Sequence, residues 1–295
     1  MSSLKNYLSL VKFSHTIFAL PFAIIGFFLG VVSSGNSSQN LTSWTSNYFL
    51  LFVMVILCMF FARNAAMAFN RWADHKYDKQ NPRTKIREIP SGIISSNNAL
   101  LFVAFNCIAF ITTTFFINPL CFYLSPIALL VVLGYSYTKR FTPLCHIILG
   151  VGLALAPIGA YLAVTGQFQM LPLFYSFAVL FWVSGFDIIY ALQDEEFDRS
   201  INLKSIPVLV GKKNALIISR LFHLVSAFLI MYAGYYAKFH AWYWVGSLVF
   251  ISLLLYQHTL VKASDLKKVN IAFFTTNGIA SLVFATFVLL DIYLH

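Results

Sequence analysis

Two short segments hold most of the acidic side chains of this sequence. The first is Asn70-Arg-Trp-Ala-Asp-His-Lys-Tyr-Asp78, and the second is Asp187-Ile-Ile-Tyr-Ala-Leu-Gln-Asp-Glu-Glu-Phe-Asp198. Both end in Asp-x-x-aromatic-Asp followed by a basic residue, and the two copies of this pattern are 120 residues apart. A matched pair of segments at this distance indicates two related helical halves.

The spacing within each segment is that of one helix face, because residues three and four apart are neighbours on a helix. In the first segment this face carries Asn70, Asp74 and Asp78. In the second it carries Asp187, Tyr190, Asp194 and Asp198. Like charges so placed repel one another. Their close placement becomes favourable when a bound cation bridges them.

Oxygen ligands of this kind suit Mg²⁺, which typically binds one or two carboxylates together with substrate phosphates. The sequence therefore predicts an Mg²⁺-diphosphate site with these metal ligands: Asn70, Asp74, Asp78, Asp194 and Asp198. A single acidic cluster at a helix end is more often a solvated surface. Two matching clusters in a chain with only 10% charged residues favour a functional site.

The composition indicates whether the helices that carry these residues lie in water or in lipid. The chain has 295 residues, of which 59% are hydrophobic, and its mean hydropathy is +0.78. Ordinary soluble domains carry about 25% charged residues, so soluble enzymes, nucleic-acid-binding proteins and disordered chains are excluded. The four cysteines form no Cys-x-x-Cys pair, which leaves disulfides and cysteine metal sites unsupported. We expect a membrane protein without a nucleic-acid partner.

Nine apolar stretches are long enough to span a bilayer, which requires roughly 20 residues. We predict them at 15–33, 48–70, 98–117, 119–137, 144–165, 171–192, 214–236, 241–261 and 270–294. Lysine and arginine concentrate in every second loop, which by the positive-inside rule places the N-terminus in the cytoplasm and the C-terminus outside. Short loops and the absence of a transit peptide favour a bacterial plasma membrane. We expect residues 1–295 to form one transmembrane domain.

The two acidic segments resemble the Asp-rich motifs of the UbiA superfamily of intramembrane prenyltransferases. The second motif of that family is followed by Lys-Ser and a glycine, which match Lys204, Ser205 and Gly211. Further segments resemble the branch of the family that acts on 4-hydroxybenzoate: 12–21, 81–84, 87–90, 137–142 and 150–157. The resemblance covers nearly the whole chain. One departure is Arg71, which stands where many relatives have aspartate.

This resemblance implies an all-α membrane fold of about nine helices around a central cavity, in two pseudo-repeated halves. It implies transfer of a polyprenyl chain from polyprenyl diphosphate to an aromatic ring, with Mg²⁺ as the cofactor. The Asp-rich motifs would act in catalysis through Asp74, Asp78, Asp194 and Asp198, with Tyr190 orienting the reacting groups; Asn70 and Asp187 would take part in substrate binding. Basic residues of the cytoplasmic loops are candidates for contact with the diphosphate: Arg83, Lys139, Arg140 and Lys204.

Arg63 lies seven residues before Asn70, about two helical turns away on the same face. A charge inside a membrane span is costly and usually functional. In the family's aromatic-acid branch an arginine at this offset binds the carboxylate of the acceptor. The alternative is a structural pair with Asp187 or with backbone carbonyls. Carboxylate recognition favours a hydroxybenzoate-like acceptor and leaves open 4-hydroxybenzoate or another aromatic acid, used in a futalosine-type menaquinone route.

Two other classes compete with this interpretation. A multi-span transporter also combines repeats with intramembrane charges, although transporter sites usually lie near the middle of the membrane and these carboxylates lie at one end of their helices. Another branch of the same superfamily would use haem or a lipid alcohol as the acceptor.

Overall fold

The computed structural model describes residues 2–11, 18–35 and 46–294. They are almost entirely helical. The α-helices are α1 (Ser2–Leu10), α2 (Leu20–Ser33), α3 (Ser46–Ala73), α4 (His75–Gln80), α5 (Ser96–Ile117), α6 (Pro119–Thr138), α7 (Cys145–Thr165), α8 (Met170–Ala191), α9 (Glu195–Ser200), α10 (Ile206–Ala237), α11 (Ala241–Leu260) and α12 (Asn277–Leu294). A 3-10 turn at Leu192–Asp194 joins α8 to α9, and a π-helix at Ile271–Thr276 precedes α12.

Eight helical segments within the described residues are long and apolar enough to cross a membrane, and α2 is a shorter apolar helix of 14 residues. Together they match the nine predicted spans, and most boundaries agree within a few residues. Residues 12–17, the start of the segment that resembles the family's entry helix, lie outside the described residues.

The seventh span begins earlier than predicted, at Ile206 rather than at residue 214. Ser205 caps this helix, because its side chain accepts a hydrogen bond from Val208 N at 3.4 Å, and Pro207 follows in the first turn, where proline is well tolerated. A kink at Gly211, with φ of 78° and ψ of 161°, separates this first turn from the long apolar part.

The described residues group into two compact units. The first contains α1 and residues 50–137, and therefore most of α3, all of α4 and α5, and α6 except its last residue. Its core is built from small and branched apolar side chains: Leu10, Ala68, Ile89, Ile94, Ala99 and Val103.

The second unit contains α2 and α7 to α12. Aromatic side chains fill its core, where the rings of Phe22 and Phe250 each contact those of Trp182 and Phe284. Helix α2 packs closely against α7, because a Cβ on Gly26 would overlap the carbonyl oxygen of Pro157.

The long helices leave much of their apolar surface uncovered. On α5 and α6 these exposed residues include Leu101, Phe105, Ile108, Phe116, Ile127 and Leu130. Contiguous apolar surface of this extent is unfavourable in water and is the surface that a lipid bilayer solvates. The predicted all-α membrane fold is confirmed.

Candidate functional site

The first acidic motif lies at a joint between two helices. Helix α3 ends at Ala73, and Asp74 adopts φ of −94° and ψ of 3° before α4 begins at His75. Backbone hydrogen bonds continue through the joint, since Asp74 N donates to Asn70 O at 3.0 Å and Asp78 N to Asp74 O at 2.8 Å. These three residues therefore remain one helical turn apart, as predicted.

The second motif contains the same kind of joint. Helix α8 ends at Ala191, and Asp194, with φ of −103° and ψ of 1°, closes the 3-10 turn before α9. The middle aspartate of each motif thus occupies the sparsely populated region near φ −90° and ψ 0°, where active-site residues are frequent. A six-residue helix follows it in both cases. This local likeness supports the predicted relation between the two halves.

Neither motif is one uninterrupted α-helix. A side chain next to the middle aspartate bonds to the carbonyl three residues before its own position: His75 Nδ1 to Trp72 O at 2.7 Å, and Gln193 Nε2 to Tyr190 O at 3.2 Å. Side chains that bond to nearby carbonyls compete with the helical hydrogen-bond pattern.

The last aspartate of the first motif is paired with an arginine. Arg87 Nη1 lies 2.8 Å from both carboxylate oxygens of Asp78, which is buried. Thr84 Oγ1 donates to the Asp78 carbonyl at 3.2 Å and ties the following loop to the motif. Arg87 was not among the predicted site residues, although it lies in a segment that resembles the family.

The last aspartate of the second motif is paired with a lysine. Lys139 Nζ lies 2.6 Å from Asp198 Oδ2, and the Asp198 side chain is 2% exposed. Burial opposes the charged form of Lys139, but the attraction and hydrogen bond of Asp198, with a further contribution from Asp194, raise its pKa above the usual value. Lys139 is therefore a fixed positive charge beside the second motif, and its predicted contact with the diphosphate stays a prediction.

The remaining predicted cations lie in loops. Lys204 N donates to Lys139 O at 2.7 Å, and Lys204 Nζ donates to Phe141 O at 3.1 Å, which holds the segments around 140 and 204 together. Arg140 follows Lys139 in the same loop. Arg83 is exposed, and its backbone N–H donates to Asn81 Oδ1 at 2.9 Å.

The oxygen donors of the motifs fit a magnesium ion that is completed by phosphate. Asn70 Nδ2 donates to Asp74 Oδ2 at 3.2 Å, so the amide oxygen of Asn70 is the donor atom left for a cation. No group of three or more His, Cys, Asp and Glu side chains within the described part of the chain is arranged to hold a metal. Mg²⁺ needs no such group, because it usually takes only one or two carboxylates and fills the other positions with water and substrate phosphates.

Arg63 lies in α3 within the first unit. Its Nη1 donates to the carbonyl of Val11, just after α1, at 3.4 Å. The alternative to carboxylate recognition, a hydrogen bond from Arg63 to a backbone carbonyl, is thus observed, at the upper limit of hydrogen-bond length. A guanidinium carries five N–H donors, and this bond uses one of them.

Tyr190 packs against the π-helix. Its ring centroid lies 4.3 Å from that of Phe273 and 6.2 Å from that of Phe274. Asn277 fixes this segment by donating to Ala272 O at 2.9 Å and to Phe273 O at 3.0 Å. π-Helices frequently mark functional sites. Tyr190 is therefore positioned by an element that no local sequence pattern indicates.

Asp187, at the start of the second motif, is paired with a histidine. His146 Nδ1 lies 2.7 Å from Asp187 Oδ2, and His146 is buried. One turn later on α7, Gly150 faces α8 so closely that an added Cβ would overlap Ser184 Oγ and lie 2.5 Å from Leu180 O. The glycine sets the distance between the two helices that carry the pair. Sequence reasoning did not single out His146.

We expect Gly150→Ala to lower activity by about 100-fold, because a displacement of about 1 Å at the reacting groups has that effect. Overpacking of this kind also destabilises by about 1–3 kcal/mol. Gly159→Ala, in the same helix but with open space around its added Cβ, is the matched control and should behave as wild type. Thermal unfolding in detergent and turnover measure the two effects. Equal behaviour of both variants would show that the close contact is unimportant.

The chain is similar to known proteins over most of its length. The model of the UbiA prenyltransferase family matches residues 19–279. A 4-hydroxybenzoate octaprenyltransferase of Nitrosomonas eutropha is 31% identical over 242 residues, covering 82% of this chain and 84% of that protein. Another from Shewanella pealeana is 31% identical over 241 residues, covering 82% of this chain and 83% of that protein.

Solved structures agree with this match. A UbiA homolog from Aeropyrum pernix K1 has a TM-score of 0.81 at 28% identity, covering 94% of this chain and 98% of that one. A UbiA homolog from Archaeoglobus fulgidus, bound to DMAPP and Mg²⁺, has a TM-score of 0.74 at 22% identity, covering 97% and 99%, and shows the fold. The resemblance of the motifs is thus confirmed, and this multi-pass integral membrane protein belongs to the UbiA prenyltransferase family.

Proposed function

We propose that the protein transfers a polyprenyl chain from polyprenyl diphosphate to 4-hydroxybenzoate and so forms 3-polyprenyl-4-hydroxybenzoate for quinone biosynthesis. The observation that carries this proposal is the similarity to 4-hydroxybenzoate octaprenyltransferases at 31% identity over four fifths of both chains. The similar local joints at Asp74 and Asp194 support this proposal, because each places an aspartate at the same position of its motif.

The reaction breaks the bond between C1 of the prenyl chain and the diphosphate oxygen, and the electron pair leaves with the diphosphate. A carbon–carbon bond forms between C1 and the ring carbon ortho to the hydroxyl, and that carbon then loses its proton. The products are the prenylated acid, diphosphate and one proton. Exclusion of water from the electron-poor prenyl carbon is necessary.

The motifs would hold Mg²⁺ through the predicted ligands: Asn70, Asp74, Asp78, Asp194 and Asp198. When bound, the metal neutralises the charge of the leaving diphosphate. Basic side chains would bind the remaining phosphate oxygens as charge-assisted donors. We assign this role to Lys139, Arg140, Arg83 and Lys204.

Recognition of the acceptor would depend on Arg63, whose planar guanidinium suits a carboxylate. The same contact would accept a larger aromatic acid of a futalosine-type menaquinone route. The pattern of Asn81-Pro-Arg-Thr84 and Arg87-Glu-Ile-Pro90 also occurs among relatives assigned to that route, and Arg87 of this loop pairs with Asp78. We therefore keep this second acceptor as the alternative substrate of the same reaction.

The basic loops that follow α3, α6, α9 and α11 would face the cytoplasm, by the positive-inside rule. We infer a plasma-membrane protein with a cytoplasmic N-terminus and an external C-terminus. Both Asp-rich motifs adjoin basic loops of this set, where water-soluble acceptor and metal are available.

The direct test incubates membranes containing the protein with 4-hydroxybenzoate, a long-chain prenyl diphosphate and Mg²⁺. We expect 3-polyprenyl-4-hydroxybenzoate by mass spectrometry, and loss of the product when EDTA removes the metal. Restoring Mg²⁺ should restore the product. Binding of the diphosphate without product would redirect the search to other aromatic acids, whereas neither binding nor product would refute the proposed reaction.

A further inference from the structure

The pair of His146 and Asp187 differs from the other contacts of the motifs. Asp78 and Asp198 are held by an arginine and a lysine, whereas Asp187 is held by an imidazole whose Nδ1 lies 2.7 Å from Oδ2. The His146 side chain is 3% exposed and the Asp187 side chain 23% exposed. The carboxylate is thus accessible from one side while its histidine partner is enclosed.

The histidine is held on two sides. Ser184 Oγ donates to the His146 carbonyl at 3.2 Å and so joins the first turn of α7 to α8. Gly150 permits the close approach of the two helices one turn further along. Because these contacts fix the backbone of α7 against α8, the buried imidazole is kept within reach of Asp187.

The accessible carboxylate lies on the motif that carries the other site residues. Tyr190 follows Asp187 by one turn on α8, and Asp194 and Asp198 follow on the 3-10 turn and α9. A carboxylate with one oxygen fixed by an imidazole presents its second oxygen in a defined direction. In a catalytic triad, likewise, one side chain orients a second side chain that acts on the substrate.

We propose that His146 is a positioning residue: its Nδ1–H holds Asp187 Oδ2, so that Asp187 Oδ1 accepts a hydrogen bond from the phenolic hydroxyl of the aromatic acceptor. This inference rests on the proposed transfer to a hydroxybenzoate. The hydrogen bond draws the hydroxyl proton towards Asp187 and increases the electron density of the ring at the ortho carbon, which is the attacking atom. Asp187 touches the substrate, and His146 acts only through Asp187.

The test compares His146→Ala with His146→Asn, since the amide nitrogen of asparagine takes a position close to that of Nδ1 of histidine. We expect His146→Ala to lower kcat with 4-hydroxybenzoate by about 100-fold and to leave the KM for the prenyl diphosphate unchanged. His146→Asn should recover at least a tenth of the wild-type kcat. Ser226→Ala, which removes a hydroxyl-to-carbonyl bond between α10 and α8 and leaves the imidazole and its α7 contacts in place, is the control and should retain wild-type turnover.

A more acidic phenol distinguishes positioning by His146 from a merely structural role. A structural defect would lower kcat by the same factor with either acceptor. The fluorine of 3-fluoro-4-hydroxybenzoate acidifies the hydroxyl and leaves one ortho carbon free. Such a hydroxyl needs less assistance, so the ratio of wild-type to His146→Ala kcat should be several-fold smaller with this acceptor. A ratio that is the same for both acceptors, or equal losses in the Ala and Asn variants, would overturn the proposal.

Failure of this inference and failure of the proposed function give different results. If wild-type protein forms product and His146→Ala forms it equally fast, only the role of His146 is refuted. If wild-type protein prenylates neither hydroxybenzoate, the acceptor class itself is wrong. Thermal unfolding of each variant in detergent identifies any that fail to fold, and His146→Asn then supplies the comparison with the two acceptors.

Discussion

Asp198→Asn is expected to reduce product formation by about 10²- to 10³-fold, which is the usual effect of removing one electrostatic contact from a reacting site. The substitution keeps the size of the side chain and removes its charge. It also leaves Lys139, 2.6 Å away, without its carboxylate. Because loss of one partner of a buried ion pair is destabilising, and Lys139 is 30% exposed, we expect a moderate loss of about 1–3 kcal/mol. Mass spectrometry of product and thermal unfolding measure the two effects separately.

The double variant Lys139→Met/Asp198→Asn separates stability from catalysis. Removal of both charges takes away the unpaired lysine, so the unfolding temperature should return towards that of wild type. Activity should stay low, because the proposed reaction needs the carboxylate and the ammonium themselves. Recovery of activity in the double variant would mean that Asp198 acts only as the partner of Lys139.

Arg63→Ala is expected to lower kcat/KM for 4-hydroxybenzoate by about 10- to 100-fold, the usual contribution of a hydrogen bond to a charged group. Binding of the prenyl diphosphate should be unchanged, since the proposed contacts of Arg63 are with the acceptor alone. Arg63→Lys should fall between the two, because lysine keeps the charge and loses the planar fork. Kinetics with varied acceptor and direct binding of the diphosphate give both quantities.

An acceptor that lacks the carboxylate tests the proposed contact of Arg63 a second time. With 4-hydroxybenzamide, which has no charge at that position, wild-type protein and Arg63→Ala should differ much less than with 4-hydroxybenzoate. Arg220→Ala is the matched control, because Arg220 is also an arginine within a long apolar helix but is exposed. An equal defect of Arg63→Ala with both acceptors would assign Arg63 to packing, as its contact with Val11 O also permits.

Much of the fold follows from hydropathy and charge. The spans were predictable because a membrane helix must be long, apolar and flanked by basic loops, and these requirements are local in sequence. The start of α10 was missed although Ser205 and Pro207 are ordinary start signals. Gly211 interrupts the pattern after one turn, and the long apolar run begins only beyond it.

The candidate site was predictable in its acidic residues and not in their partners. Asp74, Asp78, Asp194 and Asp198 stand out because acidic residues are rare in this chain. His146 lies 41 residues from Asp187 in sequence and contacts it only because α7 packs on α8. No periodicity encodes such a contact. Arg87, nine residues after Asp78, reaches back from a loop whose conformation depends on several side-chain bonds.

The close fit of α2 against α7 has a consequence for biosynthesis. Gly26 and Pro157 are separated by 131 positions, so α2 leaves the ribosome long before α7 does. At about 5–20 residues per second this interval is on the order of ten seconds. The 14 described residues of α2 extend only about 21 Å along the helix axis, less than the roughly 30 Å of the bilayer core. The second unit is therefore completed in the membrane only after this interval, during which its first helix is already present. Its completion depends on a helix whose described length is shorter than the bilayer core.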